Sequence, residues 1–170
     1  SFSHDNEKAS PGYYSVWLDD YNVKAEMTAT TRTSMQRYTF PESSSANIII
    51  DLKNRDHVLE SDIEIISDTE IQGFRKSRRW ANEQFVYFFA KFSKPFCSYG
   101  IAVNDTLVEE IKKAKGKNIR VFVQFDTKEN EKILVKVGIS AVDIEGAKRN
   151  LEEENPGWNF EKVSSKAKKK

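Results

Sequence analysis

The sequence has one cysteine, Cys97, in 170 residues, so no internal disulfide exists. A lone thiol between Phe96 and Tyr99 reads as a small core residue. Histidines number two, His4 and His57, and a zinc site would have to lean on carboxylates. Glycines (7) and prolines (4) are few, which excludes collagen-like and low-complexity sequence and leaves the turns to Asp, Asn and Ser. Apolar runs such as Ile48-Ile49-Ile50 fall far short of the ~18 residues of a membrane span. Charge of one sign is also lacking, with 27 Lys and Arg against 26 Asp and Glu. The last ten residues hold a local charge of +4, which leaves −3 of the overall +1 on the rest. A mildly acidic body does not capture nucleic acid electrostatically. No G-x-S-x-G, H-E-x-x-H, P-loop, dinucleotide fingerprint or C-x-x-C is found.

What is present is strand periodicity. Tyr14, Val16 and Leu18 alternate with Tyr13, Ser15 and Trp17. After the turn Asp19–Asn22, Val23, Ala25, Met27 and Ala29 do the same, which predicts a β-hairpin. Further strands are expected at 35–40, stopped by Pro41, at 46–52, around Ile63 and Ile71 flanking a Ser67-Asp68 turn, at 96–103, 119–125 and 133–139. The run Gln84–Phe92 is apolar on both faces, as a central strand covered on both sides would be. About ten short strands mean a sandwich or a barrel. Thr106 with Glu109 offers a capping box for a short helix reaching Gly116, with an irregular excursion as the alternative. A clearer helix starts at Ser140 or Asp143, carries Ile144, Ala147 and Leu151 on one face, and stops at Asn155-Pro156-Gly157. Asn159 caps another, with Phe160, Val163 and Ala167 aligned.

The candidate chemistry is thin. Asp19/Asp20, Glu109/Glu110 and Glu152-Glu153-Glu154 are adjacent carboxylates that splay apart, whereas glycoside hydrolysis needs two carboxyls facing each other across a sugar. Arg75-Lys76-Ser77-Arg78-Arg79-Trp80 joins positive charge to a stacking ring, as single-strand nucleic-acid or sugar sites do. The simpler reading is a solvated connection with Trp80 folded onto the sheet. Asn104-Asp105-Thr106 fits a glycosylation sequon, and His57 reads as an exposed loop residue.

Residues 2–14, FSHDNEKASPGYY, the hairpin, and Arg37-Tyr38-Thr39-Phe40-Pro41 resemble the N-terminal domain of glycoside hydrolase family 92. The resemblance continues through Val86-Tyr87-Phe88, Phe92-Ser93-Lys94-Pro95-Phe96, Lys136–Ser140, Ile144–Ala147 and Asn150-Leu151-Glu152 to Pro156-Gly157-Trp158. One departure is Arg79, where the family pattern has glycine before the tryptophan.

The family comprises bacterial exo-acting α-mannosidases, many acting on α-1,2 linkages. The resemblance implies a mainly β, antiparallel, supersandwich-like domain over residues 1–140. It also implies short C-terminal helices over 141–170 that lead toward a catalytic (α/α)6 barrel. Calcium-dependent hydrolysis with inversion is implied for the parent enzyme, with the acid, the base and the calcium ligands on the barrel. On that reading this chain contributes no catalytic or metal residue, its partners are the barrel and mannose-containing glycans, and its location is the periplasm or cell exterior of a bacterium. Trp158 and Phe160 are candidate junction residues because the apolar side of the last helix has no evident partner, and Phe2 and His4 because they lie in a polar leader that the resemblance links to the domain junction. The rival class is a free-standing carbohydrate-binding module that stacks sugars on Trp17 or Trp80. Nucleic-acid binding through residues 75–80 and the lysine tail is a further alternative.

Overall fold

The computed structural model describes residues 3–108 and 110–169, so Phe2 and Glu109 lie outside the described residues. Its strands run β1 (Glu7–Ser10), β2 (Tyr13–Leu18), β3 (Val23–Ala29), β4 (Thr33–Phe40), β5 (Ser43–Asp51), β6 (His57–Ile65) and β7 (Glu70–Arg78). They continue as β8 (Gln84–Phe92), β9 (Ser98–Val103), β10 (Thr106–Val108), β11 (Lys113–Gly116), β12 (Ile119–Thr127) and β13 (Glu131–Ser140). Helices α1 (Ile144–Glu154) and α2 (Phe160–Ala167) follow. Two antiparallel sheets form a sandwich, one of nine strands in the order β1-β2-β3-β4-β13-β8-β7-β6-β11 and one of four, β10-β9-β12-β5. The mainly β sandwich with C-terminal helices is the architecture the sequence implies.

The core between the sheets is aromatic and β-branched. Phe92 stands edge-on to Phe96 at 5.9 Å between ring centres and lies beside Phe125 at 6.0 Å. Ile63, Ile101, Val121, Val123 and Ile133 are shut off from solvent around them. Strand β8 is covered on both faces, as its apolar run requires: Phe88 points into this core, while Phe89 packs with Ala147 and Leu151 of α1. The helices thus form a third layer on the outer face of the nine-stranded sheet. Gly138 makes this possible, because a Cβ there would sit 2.2 Å from the Ala147 carbonyl.

Three strands escape the periodicity. β1 is polar and half of a hairpin with β2 (Glu7 opposite Val16), in a segment that reads as leader. The helix expected from Thr106 to Gly116 is not formed among the described residues; β10 and β11 occupy its ends. The reason is local. Asn104 and Asp105 both take positive φ, 52° and 64°, and close a two-residue turn that pairs Thr106 with Val103. Asn and Asp tolerate that region, and such turns match the twist of a hairpin. Thr106 therefore continues a strand instead of capping a helix. Asp143, rather than Ser140, caps α1, its carboxylate accepting from the Gly146 amide at 2.6 Å. Asn159 caps α2 by accepting from the Lys162 amide at 2.9 Å.

Candidate functional site

The candidate junction lies where the helices meet the sheet. Phe160 is 2 % exposed. It is buried with Met35 and Val163, against Tyr13 and Leu134, on the outer face of the sheet. The expectation that the apolar side of α2 has no partner is therefore corrected. Alternation along β4 and β13 presents Met35 and Leu134 outward, opposite the inter-sheet core, and α2 covers them. Burying a side chain of this size contributes about 2–3 kcal/mol.

A charged network locks the same helix. Arg37 donates from Nε and Nη2 to both carboxylate oxygens of Glu26, at 2.8 and 3.0 Å, and from Nη1 to Glu161 of α2. Its guanidinium also lies 4.2 Å above the Phe160 ring. Burial alone would push the Glu26 carboxyl up, but Arg37 and the Tyr13 hydroxyl bonded to it (2.8 Å) hold it down at about 2. At the other end of α1, Glu154 accepts from the Thr30 hydroxyl and from Arg32, whose Nε is 2.6 Å away. These bonds outweigh its burial and hold it at about 2. Glu152 and Glu153 are solvated as their run suggests, but Glu154 pins α1 to the β3–β4 turn.

Lys136 is the pivot between the helices. Its side chain is buried on β13, and Nζ donates to the carbonyls of Asn155, Pro156 and Gly157 at 3.0, 3.3 and 3.3 Å. The Trp158 ring centre lies 4.3 Å from the same atom. Burial, with repulsion from Lys91, lowers the Lys136 pKa. Trp158 keeps 37 % of its surface in solvent, so one face rests on the ammonium and the other is open.

His4 sits in a short turn with Nδ1 2.8 Å from Glu7 Oε2. Asn6 of that turn donates to Asp19 at 2.9 Å, which ties it to the end of β2. Trp158 stands over β13, four strands away from β1, a distance of roughly 19 Å. The structure does not bring His4 and Trp158 together.

The basic run is split. Arg75 turns toward the chain itself and donates to the Leu52 and Asn54 carbonyls at 2.8 and 3.0 Å. Lys76 pairs with Glu83 at 2.6 Å, and Arg79 lies 3.6 Å from Asp56. Trp80 is not folded onto the sheet; it is 99 % exposed at the tip of the β7–β8 connection. Pairing of His57 with Arg78 starts β6, so His57 is exposed but on a strand. Cys97 is exposed rather than core, its Sγ 3.2 Å from the Gln124 carbonyl at the start of β9. Among the described residues, no three His, Cys, Asp or Glu side chains converge to hold a metal ion. No helix among the described residues is long and apolar enough to cross a membrane.

The described residues form a two-sheet sandwich with two C-terminal helices clamped to its outer face. Residues 1–140 match the glycosyl hydrolase family 92 N-terminal domain, and the chain belongs to that family. It is 38% identical to a family 92 α-mannosidase of Bacteroides thetaiotaomicron, with a TM-score of 0.92 over 99% of this chain and 24% of that one. A family 92 inverting mannosidase of the same bacterium is 26% identical, with a TM-score of 0.88 over 99% of this chain and 22% of that one. An uncharacterized secreted glycosidase of Arthroderma benhamiae is 26% identical, over 96% of this chain and 24% of its own length. The chain thus spans about a quarter of the relatives it matches.

Proposed function

We propose that this chain is the non-catalytic N-terminal domain of a secreted, calcium-dependent, inverting exo-α-mannosidase acting on α-1,2-linked mannose in glycans. It supports an active site formed with a catalytic (α/α)6 barrel. The observation that carries the reading is the 38% identity, end to end, to one quarter of an α-mannosidase. The match to the family's N-terminal domain supports assigning the general acid, the base and the calcium ligands to the barrel. The part left to this domain is mechanical. The Arg37, Lys136 and Glu154 contacts fix the helices on the sheet, and Trp158 offers a half-exposed ring beside them.

The test is hydrolysis of α-1,2-mannobiose by a full-length family 92 polypeptide carrying this domain, followed by proton NMR. Release of β-mannose that stops on chelation and returns with calcium is expected. Turnover by the 170-residue chain alone, or release of α-mannose by the full polypeptide, would overturn the reading.

The exposure of Trp80 favours a second reading, a glycan-stacking module. Calorimetric titration of this chain with mannosides separates the two, since the supporting role requires no binding by the isolated domain.

A further inference from the structure

Sheet edges are sites of unwanted pairing, and folded proteins keep them short or charged. Three of the four edges here follow that rule. β1 and β11 have four residues each and carry Lys8 and Lys113 with Lys115, and β10 has three residues. β5 does not. It is nine residues long, Ser-Ser-Ser-Ala-Asn-Ile-Ile-Ile-Asp, without Lys, Arg or Pro, and among the described residues it pairs only with β12. Ile49 in its middle is 64% exposed.

The space beside this edge is apolar. One cavity of about 600 Å³ is lined by Leu18, Val23, Tyr38 and Phe40 together with β5. Another of about 220 Å³ is lined by Phe88, Val135 and Val137, and both reach Ile48 and Ile49. They form one groove along β5. It exists because four strands face nine, so the inner face of β2–β4 extends past the smaller sheet. Tyr21, 70% exposed, stands at its mouth.

We infer that β5 is the docking edge for a further β-strand, supplied by the part of the family 92 polypeptide outside the matched quarter. Main-chain groups of that strand extend the four-stranded sheet, and its alternate apolar side chains fill the groove over Leu18, Tyr38 and Phe40. This rests on the reading of the chain as one domain of a longer enzyme. Three observations choose the occupant. The free edge beyond Ser45, whose N–H and C=O already bond the Ser43 and Asn47 side chains, presents peptide groups that fit a strand and not a helix. The lining is mostly aliphatic and aromatic, with Ser43, Ser45, Asn47 and Gln36 as its polar members. The relatives matched are about four times as long as this chain, which leaves ample polypeptide to supply the strand.

Hydrogen exchange over residues 43–51, in the 170-residue chain and in a full-length family 92 polypeptide carrying it, tests the proposal. Alternate amides of β5, those not bonded to β12, should exchange at least about a hundredfold more slowly in the full polypeptide, with β12 unchanged. Equal fast exchange in both, or slow exchange in a monomeric 170-residue chain, would overturn it. So would protection in the isolated chain that appears with a sedimenting dimer and vanishes in Ile49→Lys, since the occupant would then be a second copy. The readout does not involve hydrolysis. A protected edge in an inactive polypeptide would sink the mannosidase reading and leave this one standing.

Discussion

Arg37 on β4 grips Glu26 on β3 through two parallel hydrogen bonds of 2.8 and 3.0 Å, across the strand pair in which the two residues stand directly opposite. Both side chains are largely buried, and the remaining guanidinium nitrogen reaches Glu161 on α2. The pair therefore couples sheet pairing to helix docking. Replacing Arg37 by Leu leaves the Glu26 carboxylate buried against the Tyr13 hydroxyl with no cation but Lys24, 3.3 Å away. A loss of about 3 kcal/mol in denaturant unfolding is expected, since removing one partner of a buried pair strands the other. The double variant with Glu26→Leu should recover much of that loss. If the two losses simply added, the coupling would be refuted.

Glu26 and Glu154 make acid the natural denaturant of this domain. Both carboxyls are held at about 2 in the folded chain against an ordinary 4.5. A carboxyl depressed on folding stabilises the fold above its unfolded pKa, and that contribution is lost as pH falls through the folded value. Each contributes on the order of 2 kcal/mol after solvent screening of the exposed Arg32 is allowed for. Melting temperatures should stay flat from pH 7 to pH 5 and fall steeply from about pH 4.5 toward pH 2. Glu154→Gln should flatten that fall, and an unchanged acid profile in the variant would refute the assignment.

Lys136 predicts where α2 comes loose. Lys136→Met keeps the stem but strands the Asn155, Pro156 and Gly157 carbonyls and removes the cation beneath Trp158. The expected cost is about 1–3 kcal/mol. The diagnostic is regional: exchange over residues 158–167 should accelerate, while the β12 amides stay protected. Uniform acceleration across the chain would mean that Lys136 supports the sheet and not the loop.

Strands whose apolar residues face the inter-sheet core were legible, because burial on one face imposes alternation. Val23 and Ala25 of β3 and the two-sided run of β8 are read directly. β1, β10 and β11 were not, since short edge strands bury little and leave no period. The docking of α2 was hidden for another reason. Phe160 and Val163 announce an apolar face, but its partners, Tyr13, Met35 and Leu134, are distant in sequence and lie on a sheet face that reads as the exposed one. Lys136 and Glu154 were hidden too, as a lysine in a strand and a glutamate in an acidic run look solvated until the helices cover them.

Trp80 separates the two functional readings most cheaply. At 99% exposure it packs on nothing, so Trp80→Ala should change unfolding free energy by no more than about 0.5 kcal/mol. Trp17 and Trp158 are partly covered, the latter by Lys136, so the red edge of the emission spectrum should come mainly from Trp80 and be lost in the variant. A sugar stacking on the indole would desolvate it and shift that edge to the blue. The supporting-domain reading predicts no shift when α-1,2-mannobiose is titrated to millimolar concentration, in either the wild-type chain or Trp80→Ala. A saturable blue shift present in the wild type and absent in Trp80→Ala would transfer the function to the β7–β8 connection. A shift that survives in Trp80→Ala but is lost in Trp17→Ala would place the platform on β2 instead. The neighbouring charges sharpen the test, because Arg79 is 3.6 Å from Asp56 and Lys76 pairs with Glu83. Those pairs leave Trp80 without a continuous cationic surface, so the salt-dependent affinity of a nucleic-acid site is not expected here.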